Sequence, residues 1–307
     1  MKENQASFTA MMQAYMHAYH AIHSTEKIFD DFLAYDLIPK EKQALIEQYL
    51  IEHYLTCDKG LDDPDHTKLP FDQAITSTFL MQIINGIISR ARYAEDTLKK
   101  TVKLGVNQYI ILGAGMDTFA FRRPDLMEKL EAFEVDHPAT QEFKLCRLAE
   151  LKWKHPAKLH FIPIDFTKES LLKALMSSSF YDPKAKSFFS WLGVTSYLTK
   201  EDIFATLSSI AEVAPAGSIL VFNYADTTVF IPEKLSPQMQ EFLKLLRAIG
   251  EPMKMGGSDS SMLAEDLESL GFQLHENVSP TDIKRCYLKG RKNGCSEYGY
   301  FACAVFE

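Results

Sequence analysis

The residues best placed to hold a ligand sit at the ends of three apolar runs. The first set is Leu112-Gly113-Ala114-Gly115-Met116-Asp117-Thr118, directly after Tyr109–Leu112 and before a helical stretch. Glycines at such a junction let the backbone approach a ligand at the carboxyl end of a first strand, where open α/β sheets bind cofactors; any tight strand-to-helix turn can also use them. A dinucleotide fingerprint has a third glycine three positions on, and that position is Thr118, which argues against a pyrophosphate. The second set is Phe133-Glu134-Val135-Asp136, roughly 20 residues further, where an acid can accept from both hydroxyls of a ribose. Asp136 suits that role or a helix cap. The third is Phe161-Ile162-Pro163-Ile164-Asp165-Phe166-Thr167. Asp165 can accept from the exocyclic amine of adenine and Phe166 can cover the ring; a capping aspartate beside a core phenylalanine would read the same way. The three strand ends in order point to a nucleoside-bearing cofactor.

Other polar residues carry weaker signals. Tyr197, Asn223 and Tyr224 follow the fourth and fifth apolar runs and could face a substrate, or the tyrosines could be core residues with satisfied hydroxyls. His17, His20 and His23 recur every three residues, but the third drifts round a helix and no carboxylate completes a ligand set, so no metal site is expected. His137, between Asp136 and Pro138, suits a base or a turn. The five cysteines (Cys57, Cys146, Cys286, Cys295 and Cys303) are scattered without a Cys-x-x-Cys pair, which predicts reduced thiols rather than a disulfide framework or zinc.

The elements that position these residues fall into two textures. Residues 1–103 have helical spacing, as in Ile28-Phe29 to Phe32-Leu33 and Leu45-Ile46 to Tyr49-Leu50, with a Gly/Pro/Asp loop at Lys59–Asp65 dividing them. From 104 to 307, strands expected at Tyr109–Leu112, Ala132–Val135, Leu159–Ile164, Ser187–Leu192, Ser218–Asn223, Phe272–His275 and Tyr300–Phe306 alternate with helices. The helices are expected at Pro124–Leu130, Gln141–Leu151, Lys168–Met176, Lys200–Val213, Pro237–Ala248 and Ser261–Leu270. That rhythm predicts a doubly wound, mainly parallel sheet. Ala214-Pro215-Ala216-Gly217 and Met255-Gly256-Gly257 read as connections within the domain.

The chain has 307 residues, 46% of them hydrophobic, and a formal net charge of −8. It has no concentrated basic footprint for a nucleic acid. No apolar run reaches the roughly 18 residues of a membrane span. The first 25 residues lack a signal-peptide core, so a soluble, cytoplasmic protein is expected.

Residues 112–122 (Leu-Gly-Ala-Gly-Met-Asp-Thr-Phe-Ala-Phe-Arg), Phe133–Pro138, Pro163–Phe166 and Trp191–Thr199 resemble the leucine carboxyl methyltransferase family and the bacterial S-adenosylmethionine-dependent methyltransferases related to it. Ser89-Arg90-Ala91-Arg92-Tyr93 looks like that family's arginine-bearing helix, and Ile28–Asp31 like its N-terminal segment. The resemblance implies a seven-stranded class I, Rossmann-like methyltransferase domain at 104–307 with a helical lid at 1–103, and S-adenosyl-L-methionine as cofactor. It further implies that Gly113, Gly115 and Asp117 shape the methionine-side turn. Arg90, or failing it Arg92, would pair with the cofactor's carboxylate; Asp136 would hold the ribose, and Asp165 with Phe166 the adenine. Leu192 lines the same site but stands where the eukaryotic carboxyl methyltransferases have a glutamate, so any polar contact there is lost and their protein-phosphatase substrate is not implied.

The Asn/Asp-Pro-Pro-Tyr motif of N-methylation is absent, which favours an oxygen acceptor. A carboxylate is already ionised at neutral pH and needs no general base. The expectation is therefore O-methylation of a small-molecule or protein carboxylate or hydroxyl, with Tyr197 and Tyr224 as catalytic candidates. Two alternatives share the sheet: a nicotinamide-dependent oxidoreductase, and a catalytically silent cofactor-binding interaction protein.

Overall fold

The computed structural model describes residues 5–54, 71, 75, 77–254 and 258–307; the Lys59–Asp65 loop, the Met255–Gly257 connection and Cys57 lie outside them. The described helices α1 (Phe8–His23), α2 (Lys40–Tyr54) and α3 (Thr78–Val102) precede the sheet. Then follow β1 (Gln108–Leu112), α4 (Phe119–Arg122), α5 (Pro124–Met127), β2 (Glu131–Asp136), α6 (Pro138–Glu150), β3 (Leu159–Pro163), α7 (Leu171–Met176) and β4 (Ser187–Trp191). After a 3-10 turn at Thr195–Tyr197 come α8 (Lys200–Val213), β5 (Ile219–Ala225), α9 (Pro237–Ala248), α10 (Leu263–Glu268), β6 (Phe272–Val278), α11 (Pro280–Tyr287) and β7 (Gly299–Phe306).

The seven strands form one sheet in the order β3-β2-β1-β4-β5-β7-β6, with β7 antiparallel to both its neighbours. This is the expected α/β, Rossmann-like sheet. β1 and β4 are buried along their whole length, because helices cover both faces and continuous apolar runs are what such strands need. Ile110 and Leu112 pack with Phe133, Val135, Phe189 and Trp191 on one face. Tyr109 and Ile111 pack with Leu98, Phe119 and Phe188 on the other. Each side chain of that size contributes about 1.5–3 kcal/mol when fully buried. α3 packs against β4 and β5, and α1 packs on α3. The chain winds outward from β1 to β3, then returns to β4 beside β1, so the crevice between their carboxyl ends is the switch point where such sheets bind ligands.

Three local expectations are corrected. Ile28–Leu33 is not helical: Ala34, Asp36 and Ile38 each bond back three residues, to Asp31, Leu33 and Tyr35, in a run of turns that ends at Pro39. These turns bury Ala34, Leu37 and Ile38 while Phe32 stays exposed. The expected Pro124–Leu130 helix is a single turn, Pro124–Met127, set off from the preceding turn Phe119–Arg122 because Pro124 starts a new helix and cannot continue α4. α7 begins at Leu171 rather than Lys168, since the amides of Lys168 and Glu169 both bond to the Asp165 carbonyl in a separate turn.

Candidate active site

At the carboxyl ends of β1, β2 and β4 lies a cavity of about 540 Å³, within the range of small-molecule sites. Arg90, Gly113, Gly115, Asp117, Asp136, Asp165, Phe166, Leu192 and Tyr197 all line it. The structure therefore brings these residues together but leaves out Tyr224, Asn223 and Arg92. The Tyr224 ring is 1% exposed, stacked on Tyr300, and its hydroxyl donates to Asn277 Oδ1 at 2.9 Å. Asn223 is likewise committed, its Oδ1 accepting from the Gly193 amide at 2.6 Å.

The turn after β1 lies flat against β2. The amides of Gly113 and Ala114 both donate to Val135 O, at 2.7 and 3.2 Å, and the Gly115 amide donates to the Asp136 carboxylate. Gly113 has φ +71, and a Cβ there would sit 2.2 Å from Val194 Cγ2, so only glycine fits this approach. Asp136 also accepts from the His137 amide at 2.6 Å. Burial raises its carboxyl above the usual range, against the pull of the Gly115 and His137 amides. Asp117 is raised by burial too, opposed by the nearby Lys144 cation, and its Oδ1 accepts from the Phe119 amide at 2.6 Å. Asp165 accepts from the Thr167 amide and hydroxyl at 3.0 and 2.7 Å and pairs with Lys168 at 3.3 Å. Burial disfavours its charge, but these contacts outweigh that and lower its carboxyl below the ordinary value.

The arginines separate cleanly. Arg92 is half exposed, donates to Asp96 at 2.6 Å and lies outside the cavity lining. Arg90 faces the cavity, donating to Gln13 Oε1, and no carboxylate pairs with it among the described residues. A Cβ on Gly193 would come within 2.6 Å of its Nη2. Burial depresses the guanidinium to about 10, partly offset by the neighbouring Tyr197. A desolvated cation that lacks a counter-charge is suited to a ligand carboxylate. Tyr197 sits beside it, its hydroxyl raised by burial and drawn back by a hydrogen bond with Thr9.

One wall went unread in the sequence. Thr9, Gln13 and His17, four residues apart on α1, all face the cavity; their spacing was visible, but polar i, i+4 positions ordinarily read as a solvated face. At the mouth, Glu251 takes the first turn of α1, accepting from the Phe8 amide at 2.8 Å, the Thr9 amide at 3.2 Å and the Ser7 and Thr9 hydroxyls. At the far end His17 Nδ1 meets Asp31 at 3.1 Å, Thr118 donates to the same carboxylate, and Arg122 pairs with Glu95 at 2.6 Å. The other two histidines turn elsewhere. His20 is buried with both ring nitrogens engaged by Ser24 and Ile28, and burial lowers it to about 4. His23 stacks on Tyr19. His137 caps α6, its Nδ1 accepting from Ala139 N at 3.3 Å, and lines the cavity.

The sequence profile of the leucine carboxyl methyltransferase family matches residues 10–211. The Bacillus subtilis protein YktD, named as an S-adenosyl-L-methionine-dependent methyltransferase, is 36% identical over 303 residues, covering 97% of this chain and 96% of its own. In fold, the chain is similar to a DUF574 family protein from Streptomyces avermitilis (TM-score 0.56, 15% identity, 84% of this chain and 100% of that one). It is also similar to a protein from Thermobifida fusca described as a methyltransferase (TM-score 0.55, 14% identity, 91% and 98%). No helix among the described residues is long and apolar enough to cross a membrane.

Proposed function

Because this chain belongs to the leucine carboxyl methyltransferase family and is an S-adenosylmethionine-dependent methyltransferase, we propose that it methylates an oxygen, specifically a carboxylate, of a small molecule or protein. What supports this reading is the match of residues 10–211 to a family named for carboxyl methylation, together with the absence of an Asn/Asp-Pro-Pro-Tyr motif. The first turn of α1 is already taken by the Glu251 carboxylate, which leaves Arg90 as the cavity cation without a carboxylate partner among the described residues.

In this reading Arg90 takes the cofactor's carboxylate, the Gly113–Asp117 turn its methionine side, Asp136 the ribose, and Asp165 with Phe166 the adenine, while Leu192 supplies apolar wall. When bound, the cofactor supplies an activated sulfonium methyl. The protein's share is to align the two reactants and strip water from the acceptor oxygen. Tyr197, beside Thr9 and Arg90, orients the acceptor. Residues 1–103 act as the lid over the 104–307 domain, with α1 forming one cavity wall. A cytoplasmic setting suits a sequence whose five cysteines are scattered without a disulfide pattern.

Labelled S-adenosylmethionine, incubated with the protein and a cell extract, tests the acceptor class. Transferred label should be released as methanol by mild alkali, as carboxyl methyl esters are. Label that survives alkali would point to an ether or amine and overturn the carboxylate assignment; no transfer at all would favour a silent cofactor-binding protein.

A further inference from the structure

Beneath the cavity, outside its lining, lies a buried cation that the proposed function leaves unassigned. Lys144 on α6 and Glu134 on β2 are each 1% exposed. The Lys144 ammonium donates to the Glu134 carboxylate and, at 2.6 Å, to the backbone carbonyl of Asp117. One contact is thus made to the sheet and the other to the far end of the turn that carries Gly113 and Gly115.

The remaining anchors of that turn lie nearer its start. Gly113 and Ala114 bond to Val135 O, Gly115 bonds to Asp136, and the Asp117 amide bonds back within the turn to Ala114 O at 2.9 Å. The Asp117 carbonyl would otherwise hang over the sheet, and Lys144 is what reaches it from below. α6 is itself tied to its surroundings: Gln141 Nε2 donates to Glu134 O at 3.0 Å, and Thr140 Oγ1 accepts from the Ser7 amide of the cavity wall at 3.1 Å. The pair is poorly arranged for stability alone. Glu134 Oε1 is buried without a hydrogen-bond partner, and a desolvated ion pair with an unsatisfied oxygen is generally no better than two apolar side chains of similar size.

We propose that Lys144 is a positioning residue: it sets the height of the Gly113–Asp117 turn above the sheet, and so the shape of the cofactor's methionine-side subsite, while Glu134 holds and neutralises the ammonium. This rests on the reading that the turn cradles the cofactor.

The test compares wild type, Lys144→Met, Glu134→Gln and the double variant Glu134→Met/Lys144→Met by thermal melting and by calorimetric titration with S-adenosylhomocysteine. Lys144→Met alone should lower the melting temperature, because it strands a buried carboxyl. The double variant should recover the melting temperature yet bind S-adenosylhomocysteine about tenfold or more weakly, the scale of one misplaced charge-assisted hydrogen bond. Its KM for S-adenosylmethionine should rise similarly, with kcat within about threefold of wild type. Glu134→Gln, which keeps the ammonium on the Asp117 carbonyl, should bind within about threefold of wild type. A double variant that melts and binds like wild type overturns the proposal, as does a Glu134→Gln variant as weak as Lys144→Met. Should the double variant not fold, Lys144→Met is titrated against Glu134→Gln below the melting point of both: binding about tenfold weaker in Lys144→Met alone supports the proposal, and equal binding overturns it. A wild-type protein that fails to bind S-adenosylhomocysteine would instead strike the reading of the turn.

Discussion

Replacing Arg90 by methionine should move cofactor affinity and stability in opposite directions. Burial lowers the guanidinium from its ordinary value to about 10, and at about 1.4 kcal/mol per pKa unit this is a cost of about 3 kcal/mol carried by the free protein. The sign follows from linkage. The folded pKa is the lower one, so stability rises with pH only between the two values; below both the cost is constant, including the whole of neutral pH. Methionine removes that cost and fills similar space, but it leaves the Gln13 amide oxygen without its donor, which returns about 1–2 kcal/mol. The free variant should therefore be as stable as wild type or up to about 2 kcal/mol more stable, a melting shift of roughly 0 to +6 °C. Binding should suffer, because a desolvated, bidentate carboxylate contact is lost. At about 3–4 kcal/mol for truncating one partner of such a pair, the S-adenosylhomocysteine Kd should rise by several-hundredfold. Calorimetric titration and thermal melting on one preparation measure both effects. A variant that binds within about threefold of wild type would refute the carboxylate role, and one that melts well below wild type would refute the claim that the buried cation is a cost.

Gly113→Ala should destabilise the fold by about 2 kcal/mol or more and abolish cofactor binding, since it combines φ +71 with a Cβ 2.2 Å from Val194 Cγ2; adding Val194→Ala should recover only the steric part in urea denaturation. Glu134 is pushed up to about 7, by burial first and against the opposing pull of Lys144. A raised carboxyl contributes stability that is fully present below its unfolded value and lost as pH rises through about 7, so wild type should lose stability relative to Glu134→Gln between about pH 5 and 8. Urea midpoints showing a constant difference would contradict this. Tyr197→Phe should lower kcat about tenfold with little change in KM for S-adenosylmethionine. Tyr224→Phe should leave turnover unchanged and cost about 1 kcal/mol of stability, through loss of its bond to Asn277.

The contrast between those two tyrosines shows where a single sequence stops being readable. Both follow apolar runs, and a strand expected to end at Asn223 would leave Tyr224 at a free strand end over the crevice. β5 instead continues to Ala225, because β7 runs beside it and pairs Tyr224 with Tyr300. Two more residues of ladder turn a candidate catalytic group into core. That information lies some 75 residues away and is not local to either segment. The β1, β2 and β4 ends were legible for the opposite reason. Helices cover both faces of these strands, so their burial shows as mainly apolar runs, interrupted at Glu134 and Ser190, and the polar residue that ends such a run at the switch point is placed by topology. Gly113, Asp136 and, after the partly exposed β3, Asp165 were each ambiguous alone and gained meaning from standing at three successive strand ends and from the family resemblance. Ile28–Leu33 failed because helical spacing says only which residues share a face. The run of turns that Pro39 ends buries other residues, and leaves Asp31 facing His17 and Thr118.

The unread half of the site has a common physical cause. Lys144 on an amphipathic helix and Glu134 within Phe133-Glu134-Val135 each look like ordinary solvent-facing charges, since a buried lysine or glutamate is rare unless paired. Neither can be buried alone. Each becomes buriable only when the crossover from β2 into α6 brings the other to it, and the Asp117 carbonyl from the preceding turn then completes the ammonium's shell. The same holds for Arg90 with Gln13, and for the first turn of α1 with Glu251, more than 240 residues apart. Charges that rest on one element can be read from its own pattern. Charges that are tolerated only because two elements meet carry no local mark, and in this protein those are the charges that anchor the Gly113–Asp117 turn and close the wall across from it.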